Sequence, residues 1–355
     1  MSKVGVKFSY TAENDITYLA TVLNTYEDEG GTEVATVSLS GTEDIMVVDS
    51  EIVPEGGGTT TILPLTVTSN GTYSEEDVAY SPVIVNVGGS GGAIIDDFAM
   101  KTLSGSISGN ASFIASSAFA SYNALTEVNF PSCTTIYNNA FYSCKNLTTI
   151  SFPSCTTIGT YAFYRCYSLT SAYFPSCTSI GNSAFYNCSA LSIANFPSCE
   201  EIGTDVFYNC SYVLSTINFP VCKKIGNAAF SMCAELTAVD FPSCTSIGDK
   251  AFYNCYSIST ASFPQCTNIG SSAFCRCFNL LSLYLLGDSV PTMSTSNTFT
   301  STPIEGYTTS TGGVYGSIFV QESMLTSFQT AENWSIYSSR IVGLTNDQIE
   351  ELENI

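Results

Sequence analysis

The sequence predicts a repeat solenoid with one short parallel β-strand per 22-residue coil, preceded by small β-rich modules. Three observations predict it. The pair Phe-Pro returns at Phe130, Phe152, Phe174, Phe196, Phe219, Phe241 and Phe263, at intervals of 22, 22, 22, 23, 22 and 22 residues. Between the pairs runs a recurring frame, Cys-x-x-Ile-Gly-x-x-Ala-Phe-x-x-Cys-x-x-Leu, followed by an alternating apolar segment. Ahead of the repeats, glycine-rich punctuation at residues 55–61 (EGGGTTT) and 88–92 (GGSGG) sets off two short stretches with strand-like alternation.

The first stretch, residues 1–54, alternates apolar and polar side chains in EVATVSLSG and IMVVDSEIV and reads as a β-rich module. The second, residues 62–87 (ILPLTVTSNGTYSEEDVAYSPVIVNV), reads as a small β-unit of two strands around an Asn70-Gly71 turn. The acidity of the chain is concentrated here. Residues 1–100 carry a net −14 of the total −21.

Residues 93–290 form the solenoid. Leu-x-x-Ile-x-Phe is a strand whose next copy stacks beside it at about 4.8 Å, and a period in the low twenties with this pattern marks a leucine-rich repeat. Roughly eight coils are expected. Pro153 and its equivalents end the strands, where a ladder donor would be lost. Gly159, Gly181, Gly203, Gly226, Gly248 and Gly270 are read as tight corners, with Tyr137 at that place in the first copy. The coil before Phe130 keeps Ala118, Phe119, Leu125 and Val128 but has Tyr122 in place of cysteine, as suits a terminal coil. The single extra residue of the array falls in residues 211–213 (SYV).

After the last copy the period is abandoned. Residues 291–344 read as a C-terminal cap with a strand, a short helix and a closing apolar segment. In the acidic tail, residues 345–355, Thr345 and Gln348 stand in capping-box register and open a short helix.

Fourteen of the fifteen cysteines form two ladders. One is Cys133, Cys155, Cys177, Cys199, Cys222, Cys244 and Cys266; the other is Cys144, Cys166, Cys188, Cys210, Cys233, Cys255 and Cys277. A metal site wants two to four ligands grouped at short spacing, and one cysteine per coil does not give that. Equivalent residues of adjacent coils are close enough to bridge, but their side chains run parallel, which suits stacking better than a disulfide torsion. They are read as buried thiols acting as small hydrophobes, with no metal and no cofactor.

Composition removes whole classes of chemistry. There is no histidine, so Ser-His and Cys-His nucleophilic pairs are impossible. No glycine-rich phosphate loop links a strand to a helix. The acids Glu27, Asp28, Glu29 and Glu75, Glu76, Asp77 lie in turn-like runs and read as solvated faces. The chain is read as non-enzymatic. A net −21 with no basic stripe argues against nucleic acid. No apolar run approaches the ~20 residues of a membrane helix, and the first residues, MSKVGVKFSYTAENDITYLATV, do not read as an export signal, so thiols in a reducing cytosol are expected.

What remains is surface. Strand positions between the apolar ones point outward and are small and polar: Thr149 and Ser151, Ser171 and Tyr173, Asn195, and Asn218. A second outward row follows the Ala-Phe pair: Tyr142, Tyr164, Tyr186, Tyr208 and Tyr253, broken by Ser231 and Cys275. Mutual stacking of neighbouring coils is one reading of this row, and a binding surface is the other. Tyrosine with serine, threonine and asparagine suits an uncharged glycan or a protein.

The unit IGTYAFYRCYSLTSAYFP resembles the BspA-like class of leucine-rich repeats, with Ile-Gly, Ala-Phe, Cys, Leu and Pro at that family's intervals over residues 111–290. It departs at the Cys155 ladder, where the family more often has valine. The segment FVQESMLTSFQTAENWSIYSSRI resembles the family's C-terminal ending. The resemblance implies adhesion or recognition at the surface of gut and oral bacteria, with similar repeats in proteins of their phages, and brings no catalytic residues. LPLTVTSNGTYSEEDVAYSPVIVNV resembles a short β-unit of phage and prophage structural proteins. Taken together these imply a virion receptor-binding or fibre protein, a homo-oligomer on the particle that docks to other virion proteins through residues 1–92 and binds a host surface glycan or protein. The alternative is a bacterial cell-surface adhesin.

Overall fold

The computed structural model describes residues 116–306 and 315–352 in full and Glu353 by backbone alone. Before these it describes the strands 7–11, 17–27, 33–40, 46–48, 51–53, 60–64, 66–68, 83–87, 93–94, 105–108 and 113–114, those before residue 105 by backbone alone. The chain divides into two units, residues 1–169 and 170–355.

In the first unit, Lys7–Thr11, Thr17–Glu27 and Glu33–Ser40 make an antiparallel three-stranded sheet. Met46–Val48, Glu51–Val53, Thr60–Pro64 and Val83–Val87 pair antiparallel in turn, and Val83–Val87 passes on to Ala93–Ile94. Strand pairing therefore spans both glycine-rich segments. The partner of Val83–Val87 is Thr60–Pro64, with Ile62 opposite Val85, whereas Thr66–Thr68 pairs with Gly105–Ser108. The expected Asn70-Gly71 turn lies outside the described residues.

From Ala93–Ile94 one parallel ladder runs through Phe113–Ile114, Thr135–Ile136 and Thr157–Ile158. A second runs through Gly105–Ser108, Leu125–Asn129 and Thr149–Ser151. In the second unit the same two ladders recur. Two-residue strands pair from Ser179–Ile180 to Thr292–Met293, and strands of three to five residues occupy the other side. The latter form two sheets, Ser171–Tyr173 to Thr216–Asn218 and Ala238–Asp240 to Ile341–Leu344. The fold is a parallel β-solenoid of about 10 coils with a repeat of ~22 residues. The sequence suggested fewer because coils without the consensus also stack: Ser282–Leu285 pairs parallel with Ser317–Gln321, and that strand with Ile341–Leu344.

The core is built of repeated contacts between identical residues. In the second unit Phe185, Phe207, Phe230, Phe252, Phe274 and Phe299 stack in sequence at 5.2–5.8 Å. Beside them Phe174, Phe196, Phe219, Phe241 and Phe263 form a parallel stack, and the two interlock edge to face, as Phe196 does with Phe207 at 6.0 Å. The cap closes this column. Buried Trp334 lies 6.1 Å from Phe299 and donates its indole N–H to the Pro291 carbonyl at 2.7 Å. In the tail, Gln348 N–H donates to Thr345 Oγ1 and Thr345 N–H to Gln348 Oε1, the capping box of the helix Asn346–Glu353.

The Ala-Phe segment of each coil turns through two left-handed residues, Asn139 and Ser143 in one coil and Asp205 and Asn209 in another. Their N–H groups point along the solenoid axis: Asn139 donates to the Thr160 carbonyl at 2.9 Å and Ser143 to that of Tyr164 at 2.7 Å. The recurring glycines stand between the two-residue strand and this turn, with backbone that is not left-handed, and they are points of closest approach. A β-carbon on Gly226 would sit 2.5 Å from both the carbon and the oxygen of the Gly203 carbonyl one coil earlier.

Candidate ligand-binding surface

The strand side of each unit presents the polar positions read from the sequence. In the first unit Thr149 and Ser151 pair with Glu127 and Asn129, with Thr149 exposed and Ser151 half-buried. In the second unit the register sets Ser171 beside Ile193 and Ile193 beside Thr216, and likewise Tyr173 beside Asn195 and Asn195 beside Asn218. Tyr173 and Ile193 are the most exposed apolar side chains of these strands, at 56% and 45%. Asn218 Nδ2 donates to Asn195 Oδ1 at 2.9 Å, which leaves Asn195 an outward donor and Asn218 an outward acceptor. Other hydroxyls are turned inward along the ladder. Thr148, Ser192 and Ser259 donate to the carbonyls of Thr126, Thr170 and Thr237 one coil earlier.

The tyrosine row is half-buried on the turn side. Tyr142 and Tyr164 stack at 4.9 Å and 6°, Tyr186 and Tyr208 at 4.8 Å and 5°. A spacing equal to one coil leaves no room for a ligand ring between neighbours. Where the row stacks, it offers ring edges and hydroxyls, and the faces without a ring partner lie at the row's breaks. Tyr142 faces the coil that carries Ala120 at the equivalent place, and Tyr208 the coil that carries Ser231. Tyr253, next to Ser231 and Cys275 in the row, instead has the Arg276 guanidinium 5.9 Å from its centroid.

Two columns that sequence reasoning passed over flank this row, the left-handed positions before Ala-Phe and before the second cysteine. Their signature was legible, because most copies carry Asn, Ser or Asp there (Asn139, Ser183, Asp205; Ser143, Asn187, Asn209).

The thiols are packing groups, and the structure gives them a hydrogen-bonding task the sequence did not reveal. All fifteen cysteines are thiols, fourteen buried and Cys275 partly exposed. In one ladder Sγ donates to the carbonyl two residues on, as Cys199 does to Glu201 at 3.2 Å. In the other it donates to the phenylalanine carbonyl of the preceding coil, as Cys210 does to Phe185 at 3.3 Å and Cys255 to Phe230 at 3.0 Å. Burial pushes Cys210 and Cys255 up to about 12, so neither ionises near neutrality. Among the described residues no group of His, Cys, Asp or Glu could hold a metal ion, and no helix is long and apolar enough to cross a membrane. Of the acid runs, Glu27 ends a strand, and residues 28–29 and 75–77 lie outside the described residues.

Among solved structures, the chain is similar to a leucine-rich repeat protein of T. pallidum (24% identity, 53% of this chain and 83% of that one, TM-score 0.40). It is similar to one of Bacteroides ovatus (24%, 53% and 65%, TM-score 0.35), and to a leucine-rich cell-surface protein of Faecalibacterium prausnitzii (18%, 72% and 90%, TM-score 0.39). No curated protein matches it. The family model described as the BspA type leucine rich repeat region (6 copies) matches residues 99–214 and 200–326, more than half of the chain. A two-ladder solenoid with interlocked phenylalanine columns is thus the form this repeat takes here, and the chain belongs to the BspA-type leucine-rich repeat family.

Proposed function

We propose that this chain is a non-enzymatic recognition protein whose solenoid binds a host surface glycan or protein. One observation carries the reading: outward polar and aromatic side chains recur in register from coil to coil, as Tyr173, Asn195 and Asn218 do on the strand side. Such a surface meets a ligand with its own repeat through many weak contacts that add. Leucine-rich solenoids are in general binding scaffolds, and the matched family is a repeat family with no catalytic residues to transfer.

We further propose that it serves on a virion as a receptor-binding or fibre protein, present in several copies, with residues 1–92 docking to other structural proteins. The resemblance of residues 62–87 to a phage structural unit supports this. Membership of the BspA-type family supports the alternative, an adhesin on a bacterial surface. Immunogold labelling of particles and of cells from the source organism separates the two: label confined to cell walls removes the virion reading. Recognition itself is tested by host-cell binding of the Tyr173→Ala, Asn195→Ala, Asn218→Ala triple variant. Binding should fall severalfold with Tm held within a few degrees, and undiminished binding by the folded variant overturns the strand-side reading.

A further inference from the structure

Tyr161 and Arg165 both have φ of 58°, in left-handed backbone where most copies of the repeat place Asn, Ser or Asp. Large side chains are held there against their conformational preference. Both converge on one ring. Tyr161 meets Tyr164 edge-on at 5.4 Å and 88°, the Arg165 guanidinium lies 5.1 Å from the Tyr164 centroid, and Tyr142 stacks on Tyr164 at 4.9 Å. Tyr161 and Arg165 are exposed, and among the described residues Arg165 makes no ion pair.

The charge pattern isolates this arginine. The chain carries −21, yet residues 128–199 contain no carboxylate side chain, and Lys145 and Arg165 are their only charges. The related pair in the second unit differs: Cys275, raised mainly by burial, feels the positive charge of Arg276 and also the negative charge of Glu305. Arg165 therefore stands as a planar cation beside exposed aromatic surface, with no acid paired to it among the described residues.

We propose that Tyr142, Tyr161, Tyr164 and Arg165 form a subsite for an acidic sugar, with the sugar ring against exposed tyrosine and its oxyanion paired with the Arg165 fork. The inference rests on the recognition reading and narrows it from glycans in general to those bearing a carboxylate, sulfate or phosphate. Asparagine is the direct test residue at 165, since Asn187, Asn209 and Asn254 already hold that place and conformation in other coils.

The full chain is titrated with a uronic-acid oligosaccharide, with its carboxyl-reduced neutral counterpart and with a sulfated form of that counterpart. The uronate should bind about three- to tenfold more tightly than the neutral form, with the difference shrinking as salt rises. Arg165→Asn should abolish the difference, leave neutral binding in place and raise Tm by about 2 °C by relieving the backbone. An Arg165-dependent preference for the sulfated form supports the subsite and assigns sulfate as its oxyanion. Equal affinity for charged and neutral forms, or a preference that survives Arg165→Asn, overturns the subsite while leaving recognition standing. Binding of none of the three overturns both glycan recognition and the subsite.

Discussion

Cys233 Sγ lies 3.1 Å from the carbonyl oxygen of Phe207 in the preceding coil, and that same carbonyl accepts the N–H of Cys210 at 3.2 Å. The thiol thus satisfies the second lone pair of a buried acceptor while filling core volume. Cys233→Ala leaves that lone pair unmet and opens a small void, and should cost about 1–2 kcal/mol. Cys233→Ser keeps a donor in place and should cost less. Urea unfolding of the two variants decides the matter: a serine variant less stable than the alanine one would remove the donor role.

Alkali should unfold the protein through its thiols. Cys133, Cys177, Cys210, Cys222, Cys255 and Cys266 are each pushed up from 9.0 to about 12, burial being the largest cause in every case. A thiol whose folded pKa lies above its unfolded one favours folding fully below pH 9, and that contribution is lost as pH rises from 9 toward 12. The urea midpoint should be flat below pH 8.5 and fall steeply above it. A flat profile to pH 11 would show that the unfolded chain gains nothing by ionising.

Gly226→Ala puts a methyl 2.5 Å from the Gly203 carbonyl, and neighbouring coils would have to separate to admit it. The cost should be about 2–3 kcal/mol in calorimetric or denaturant stability. A neutral outcome would mean that coil spacing is softer than the stacked backbones imply.

Ser231 interrupts the tyrosine row between Tyr208 and Tyr253. Ser231→Tyr places a ring at the position that gives 4.8 Å stacking in the Tyr186–Tyr208 pair. It should stabilise by about 1 kcal/mol. Loss of stability would indicate that the buried serine hydroxyl, which donates to the Tyr253 carbonyl at 3.3 Å, is the stronger contributor.

The period in Phe-Pro spacing made the coil, its strands and both cysteine ladders legible, because a solenoid repeats its contacts as strictly as its residues. Two things were hidden for physical reasons. Gly159 and its equivalents look like turn glycines in one dimension; only the stacked backbones reveal that the constraint is another coil's carbonyl. The strands Ser317–Gln321 and Ile341–Leu344 continue the ladder without the consensus, because backbone pairing needs strand shape and not the repeat's side chains. On the surface, Thr149, Tyr173 and Asn218 are exposed at positions where the strand alternation points outward, but alternation carries no information on which faces of Tyr142 and Tyr208 their neighbours cover.

The hydrogen-bonded thiols bear on where such a protein can work. Cysteine usually ties a chain to one redox environment, because pairing in air rewires what was folded in the cytosol. Here each ladder thiol is buried, and Cys210 and Cys255, each already bonded to a carbonyl, are pushed up to about 12, so an oxidant finds little thiolate there. In this chain the cysteine count follows from a core that repeats, and the partly exposed Cys275 is the thiol most open to an oxidant.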